Sequence, residues 1–187
     1  MAKSILATPT RSQPATKVKD DRTLLKELLI DELRDIYWAE KYLTKTMPRL
    51  LKAATSPQLA HAFENHLMQS LDQITRLELA FEMMELHPRA RKCEAMEGLV
   101  KECQQMLQDM PKGSSALDAG LIICVQKIEH YEIAAYGSLV QLAKTMGRKD
   151  VADILHLTLV EEKETDELLT ELAVSGINLD AVHEEGQ

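Results

Sequence analysis

Four stretches of the 187-residue chain repeat apolar residues every three or four positions, and each repeat is broken near its middle by polar groups. The first reads Leu29, Leu33, Ile36, Glu40, Leu43, Met47, Leu50. The second reads Leu59, Phe63, His66, Ser70, Gln73, Leu77, Phe81. The third is Ile122, Val125, Glu129, Glu132, Tyr136, Leu139, and the fourth Val151, Leu155, Thr158, Glu162, Asp166, Leu169, Ala173. This period places each set on one face of an α-helix, so four amphipathic helices are expected to share a core.

Local signals set the ends. Asp21 or Thr23 is a helix cap for the first helix, which is expected to run to about Ala54, with Pro48 kinking it or ending it early. Ser56-Pro57 is an N-cap and first-turn pair for the second, which stops near His87-Pro88. A connection of about 25 residues follows, containing a short amphipathic helix from Cys93 to Leu107 and the breaker Met110-Pro111-Lys112-Gly113. Ser114 or Ser115 opens the third long helix, which ends at Gly147; the fourth runs from about Arg148 to Ser175-Gly176. Short turns make antiparallel neighbours, and the long connection lets the second and third helices run parallel. The expected fold is therefore an all-α, ferritin-like antiparallel four-helix bundle with a short fifth helix in the crossover. Residues 1–20 are expected to be a disordered tail, 21–175 the bundle, and 176–187 a flexible C-terminal tail. Glu40 and Glu132 lie 92 residues apart, in AEKYL and YEIAA, which suggests a twice-repeated helical hairpin.

Composition supports helices: aromatics are 4% against 45% apolar residues, and Gly and Pro are scarce. The net charge of -8 is not uniform, because residues 1–20 carry Lys3, Arg11, Lys17 and Lys19 against Asp20, leaving a more acidic body. An acidic body argues against nucleic acid as a partner. No stretch reaches the roughly 20 apolar residues of a membrane span. Cys93, Cys103 and Cys124 lack metal-type spacing and are odd in number, which reads as free thiols in a reducing cytoplasm.

A carboxylate in an apolar seam is costly unless it is paired or bound to a cation. Several of them, each at the middle of its own helix, point to a metal site inside a bundle. Glu40, Glu129, Glu132, Glu162 and Asp166 are the candidate ligands, with His66 and Gln73 as additional ones; hard oxygen donors favour iron or manganese. Glu161 faces about 100° away from Glu162. The second helix offers no Glu-x-x-His pair, only the neutral series His66, Ser70, Gln73. His66 alone is more readily explained as a hydrogen-bonded core histidine, and Glu162 and Asp166 sit in a charge run of the kind that usually faces solvent. Tyr37, Tyr131 and Tyr136 lie near the acids as hydrogen-bond donors, and Trp38 faces outward.

Over about residues 24–175 the chain resembles the YciE/YciF-type ferritin-like proteins, a bacterial stress-associated group. The likeness is carried by DIYWAEKYLTKTMPRLLKAA, RKCEAMEGL, TLVEEKETDELLTELA and, most specifically, QKIEHYEIAAYGSLVQLA. The resemblance implies a homodimer of ferritin-like bundles and a dinuclear iron site related to that of rubrerythrin, at Glu40, Glu129, Glu132, Glu162 and Asp166. The family's His-Leu-Glu-Glu-Thr stretch is here His66-Leu67-Met68-Gln69-Ser70. Two functions follow as expectations. One is a stress-response protein whose iron or manganese reacts with oxygen or peroxide. The other is a metal-free structural or interaction protein that keeps the bundle and has lost catalysis.

Overall fold

The structure, a computed structural model, describes residues 23–184. The basic segment 1–20, Asp21 and the last three residues lie outside the described part. Helix α1 spans Leu24–Ala53, and the Thr23 hydroxyl caps it by accepting from the Lys26 amide at 3.2 Å. Pro48 neither ends nor shortens α1, because Met47 and Leu50 hold its last turns on the core. Helix α2 spans Pro57–Met83 and begins at Ser56, whose hydroxyl accepts from the Leu59 amide. It stops four residues before His87: Glu85 takes a positive φ of 59°, and the Leu86 amide bonds back to the Phe81 carbonyl. Helix α3 is Glu94–Asp109, α4 is Ser115–Thr145 capped by Ser114, and α5 is Lys149–Leu172. Gly147, at φ 73°, makes the tight turn between α4 and α5, and the Arg148 amide closes it on Ala143.

The helices pack in the cyclic order α1, α2, α5, α4. Both hairpins are antiparallel, and α2 runs parallel to α4. That direction is visible at two heights: Thr55 and Ser56 meet Asp118 at one end, and His66 meets Glu129 mid-bundle. Helix α3, inside the crossover, lies on α1 and α4. The expected bundle and crossover are thus present, with the connectivity of ferritin-like folds. No helix among the described residues is long and apolar enough to cross a membrane.

The C-terminal region departs from expectation. Ser175-Gly176 reads as a stop, yet it lies within a π-helical turn, Ala173–Ile177, that leads into a last short helix, α6, Asn178–Val182. The wider turn keeps both Ala173 and Ile177 on the core. Beyond it, the Glu184 carboxylate accepts from the Ser115 and Ala116 amides at 2.6 and 3.0 Å, an acid at the positive end of α4. Those bonds hold the Glu184 carboxyl below its usual pKa.

Asp118 is the other fixed point of this end. It is buried and accepts from the Thr55 amide (2.8 Å), the Thr55 hydroxyl (2.5 Å) and the Ser56 amide (2.7 Å), tying the α1–α2 turn to α4. Asp118→Ala leaves these donors without their acceptor and is expected to cost about 2–4 kcal/mol. Thermal unfolding should show the midpoint falling by roughly 5–15 °C; an unchanged midpoint would remove Asp118 from the fold's supports.

Candidate metal centre

The polar break in each seam meets at one level of the bundle. Helix α1 brings Glu40, α2 brings His66, Ser70 and Gln73, α4 brings Glu129 and Glu132, and α5 brings Thr158 and Glu162. None of these side chains is more than 1% exposed. Helical spacing explains the convergence: each lies on the stripe whose other members, such as Leu33, Leu43, Phe63, Val125 and Leu155, build the apolar core above and below.

His66, Glu129, Glu132 and Glu162 form the tightest group, each with one ligating atom within 4.8 Å of the others'. Glu40 faces the same group, since charge repulsion from Glu162 is felt at its carboxyl. Its Oε1 accepts from the Tyr136 hydroxyl at 2.6 Å, which leaves Oε2 available. As ionised carboxylates, Glu129, Glu132 and Glu162 also find no well-aligned donor for either oxygen, which with Glu40 Oε2 makes seven buried oxygens. Glu129 and Glu162 lie close enough to share a carboxyl proton, with Gln73 beside Glu162. His66 Nε2 approaches Glu129 Oε1 to 3.1 Å, but not along a hydrogen-bonding direction, and neither ring nitrogen has a partner. Orphaned polar atoms at this density are rare in a folded core.

The electrostatics follow from burial. Desolvation, then mutual repulsion, holds the Glu40, Glu129 and Glu132 carboxyls well above the usual range. Burial pushes the Glu162 carboxyl up to about 7. Burial acts oppositely on His66, lowering it to about 4, so its imidazole is neutral near pH 7 and can donate a lone pair. Four acids and one neutral imidazole make a donor set suited to a hard divalent cation such as iron or manganese.

The other sequence candidates are placed apart from that group or at its edge. Asp166 is one turn beyond Glu162, but Thr165 takes the inward position, and Asp166 turns to Gln126 (3.2 Å) and to the exposed His130 (3.3 Å) on α4. Gln73 is fully buried; its Nε2 donates to Glu161 at 3.2 Å and its Oε1 has no partner. Of the three tyrosines, Tyr136 alone bonds to an acid of the centre; Tyr37 donates to Glu78 and Tyr131 to Asp35. Trp38 is half-buried and stacks on Tyr42. Met68, where the resembled family has an acid, is 61% exposed and faces away from the centre, as does Leu71. The inward α2 positions are His66, Ser70 and Gln73, so the exchange at Met68 removes no inward-facing group.

Sequence reasoning missed Arg76. It grips Glu161 with two hydrogen bonds, Nη1 to Oε2 at 2.5 Å and Nη2 to Oε1 at 2.6 Å, and Nη1 also donates to the buried Thr158 hydroxyl. Its signal was available: position 76 continues the α2 stripe three residues beyond Gln73.

Fold and site together define a helical bundle with a carboxylate-lined interior. The chain belongs to the DUF892 family, described as a domain of unknown function, which it matches over residues 24–182. It is 40% identical over 155 residues to protein YciF of Escherichia coli K12, covering 82% of this chain and 93% of that one. The crystal structure of the E. coli stress protein YciF aligns with TM-score 0.79 and 39% identity, over 84% of this chain and 99% of that one. YcfI from Rhodopseudomonas palustris aligns with TM-score 0.77 and 34% identity, over 81% and 96%. A Xanthomonas campestris protein at 22% identity and TM-score 0.65 shares the fold, over 86% and 97%.

The raised carboxyl pKa values set a pH dependence. Acids that hold protons more tightly when folded than when unfolded cost the protein stability as pH rises from the unfolded value near 4.5, through about 7 for Glu162, and Glu40, Glu129 and Glu132 act in the same direction. His66 acts in the opposite sense, adding stability as pH rises from about 4 to 6.5 and nothing above that. Above pH 6.5 the His66 contribution is complete and the acids set the trend. The unfolding midpoint of protein in chelator is expected to fall by roughly 3–10 °C from there to about pH 8, and a flat profile would mean that the acids are paired or hydrated.

Proposed function

We propose that this protein is a ferritin-like carboxylate protein that binds iron or manganese and serves a stress response, with oxygen or peroxide as the small oxidant. The observation that carries the reading is the buried group of converging carboxylates, seven of whose oxygens have no aligned donor, beside a neutral imidazole. Without a cation this arrangement opposes folding at neutral pH, and a divalent ion would reverse that. The stress assignment is supported by the likeness to E. coli YciF, which is described as a stress protein.

Glu129, Glu132, Glu162 and His66 would hold the ion, with Glu40 offering Oε2. A reducible ion with an open position supplies the reaction with oxygen or peroxide when bound. The chain's own parts do the rest. Tyr136 fixes the Glu40 carboxylate by holding Oε1. Leu33, Leu43, Phe63, Val125 and Leu155 are buried in the same core and keep the surroundings of the acids apolar. Glu162, with a pKa of about 7 in the metal-free protein, gives up its proton near neutral pH as it takes the ion.

A metal-free structural role is the second reading, favoured by the neutral Ser70 and Gln73 of α2 and by the description of YcfI as a candidate structural protein. A homodimer belongs to either reading. The exposed Val174, Leu179 and Val182 on the C-terminal turns support an apolar contact surface, and sedimentation should give twice the chain mass.

Protein purified with iron or manganese supplementation is expected to carry about one or more ions per chain. Glu132→Gln should weaken binding more than about 100-fold, since loss of a supporting partner alone costs about 10–100-fold, the effect expected of Tyr136→Phe. Less than about 0.1 ion per chain in the wild type would favour the structural reading.

A further inference from the structure

The acids of the centre are enclosed, so a hydrated cation needs a route that begins at solvent. We propose that Arg76 and Glu161 form that port: Glu161 is the first ligand an incoming divalent cation meets, and Arg76 holds its carboxylate until the cation arrives. This rests on the metal-binding reading above.

The two residues close the seam between α2 and α5. Each side chain is 21% exposed, and each also touches a fully buried polar group of the centre's level. Arg76 Nη1 donates to Thr158, and Glu161 Oε2 accepts from Gln73. Gln73 shares its helical stripe with Ser70 and His66, so a polar path leads from solvent through Glu161 and Gln73 to the ligand group. Among the described residues, no other part-exposed ion pair hydrogen-bonds to a buried polar group at the centre's level. Helix α3 lies across α1 and α4. Between α1 and α2, Tyr37 packs edge-on against Phe81 at 5.6 Å. Between α4 and α5, Asp166 is also part-exposed, but its partners Gln126 and His130 point outward, and neither bonds to a member of the group.

Charge gives the pair its two states. A free Glu161 carboxylate would add repulsion to Glu40 and Glu162, both of which feel its field. Arg76 offsets that charge in the metal-free protein. A divalent cation carries twice the charge of the guanidinium and can take its place on the carboxylate; it then passes to the deeper acids, and Arg76 closes again on Glu161. A simple clamp between α2 and α5 would instead affect stability without affecting the rate of cation uptake.

The test is stopped-flow uptake of Mn²⁺ by the full chain, followed by competition with a chromophoric chelator, with equilibrium stoichiometry and unfolding midpoint measured on the same samples. Glu161→Gln is expected to slow uptake about tenfold, the lower end of electrostatic steering effects. Arg76→Met should accelerate it, and Asp166→Asn should leave it unchanged. All three variants should bind as many ions at equilibrium as the wild type. If Arg76→Met does not fold, Arg76→Lys keeps the charge, loses the two-pronged grip, and should still accelerate uptake. Unchanged rates in Glu161→Gln, or equal slowing in Asp166→Asn, would overturn the port. Loss of bound ions at equilibrium in Glu161→Gln would also overturn it, by making Glu161 a resident ligand. Wild-type protein that binds no Mn²⁺ would remove the metal reading itself; wild-type binding with unaltered variant rates would remove only the port.

Discussion

Four carboxyl groups are enclosed in one apolar bundle with a neutral imidazole and no Lys or Arg among them, and the rest of the molecule is arranged around that cost. A buried carboxylate is tolerable when protonated, when paired, or when bound to a cation. Among the described residues, Glu40, Glu129, Glu132 and Glu162 have no buried Lys or Arg at their side; Arg76, whose charge reaches Glu40 and Glu162, is committed to Glu161. Protonation and cation binding are the two states left, and they differ in how the four acids repel one another. The raised carboxyl pKa values and the lowered His66 pKa describe the protonated state. The converging oxygens describe the other.

The fold supplies a rigid frame for this group. Capped helix starts at Thr23, Ser56 and Ser114 fix where each helix begins, and a short turn at Gly147 and the Asp118 tie fix how the hairpins are offset. With those offsets set, the acids of α1, α4 and α5 arrive at the same height as His66 of α2. The interior is therefore positioned by events at the ends of the helices, some of them far from the centre.

Much of this was legible in the sequence. The four seams, the crossover helix and the parallel run of α2 and α4 follow from period, caps and connection length, because those signals are local. Glu40, Glu129, Glu132, Glu162, His66 and Gln73 were legible as buried polar residues for the same reason. Asp166 was not distinguishable from Glu162 by spacing, since an i, i+4 pair shares a face; which of the two points inward depends on Gln126 and His130, on another helix. The outward turn of Met68 and the ion pair of Arg76 with Glu161 depend likewise on neighbours that only the assembled bundle supplies. The helical continuation beyond Ser175-Gly176 was hidden because a wide π-helical turn breaks the 3.6-residue period on which the reading depends.

The central claim is that the buried acids retain protons in the metal-free protein and yield them to a cation. Proton release can be measured directly in a weakly buffered solution near pH 7, as Mn²⁺ is added to chelator-treated protein. More than about one proton per chain should be released at saturation, because bound carboxylates are deprotonated. Saturating Mn²⁺ with no release of protons would contradict it.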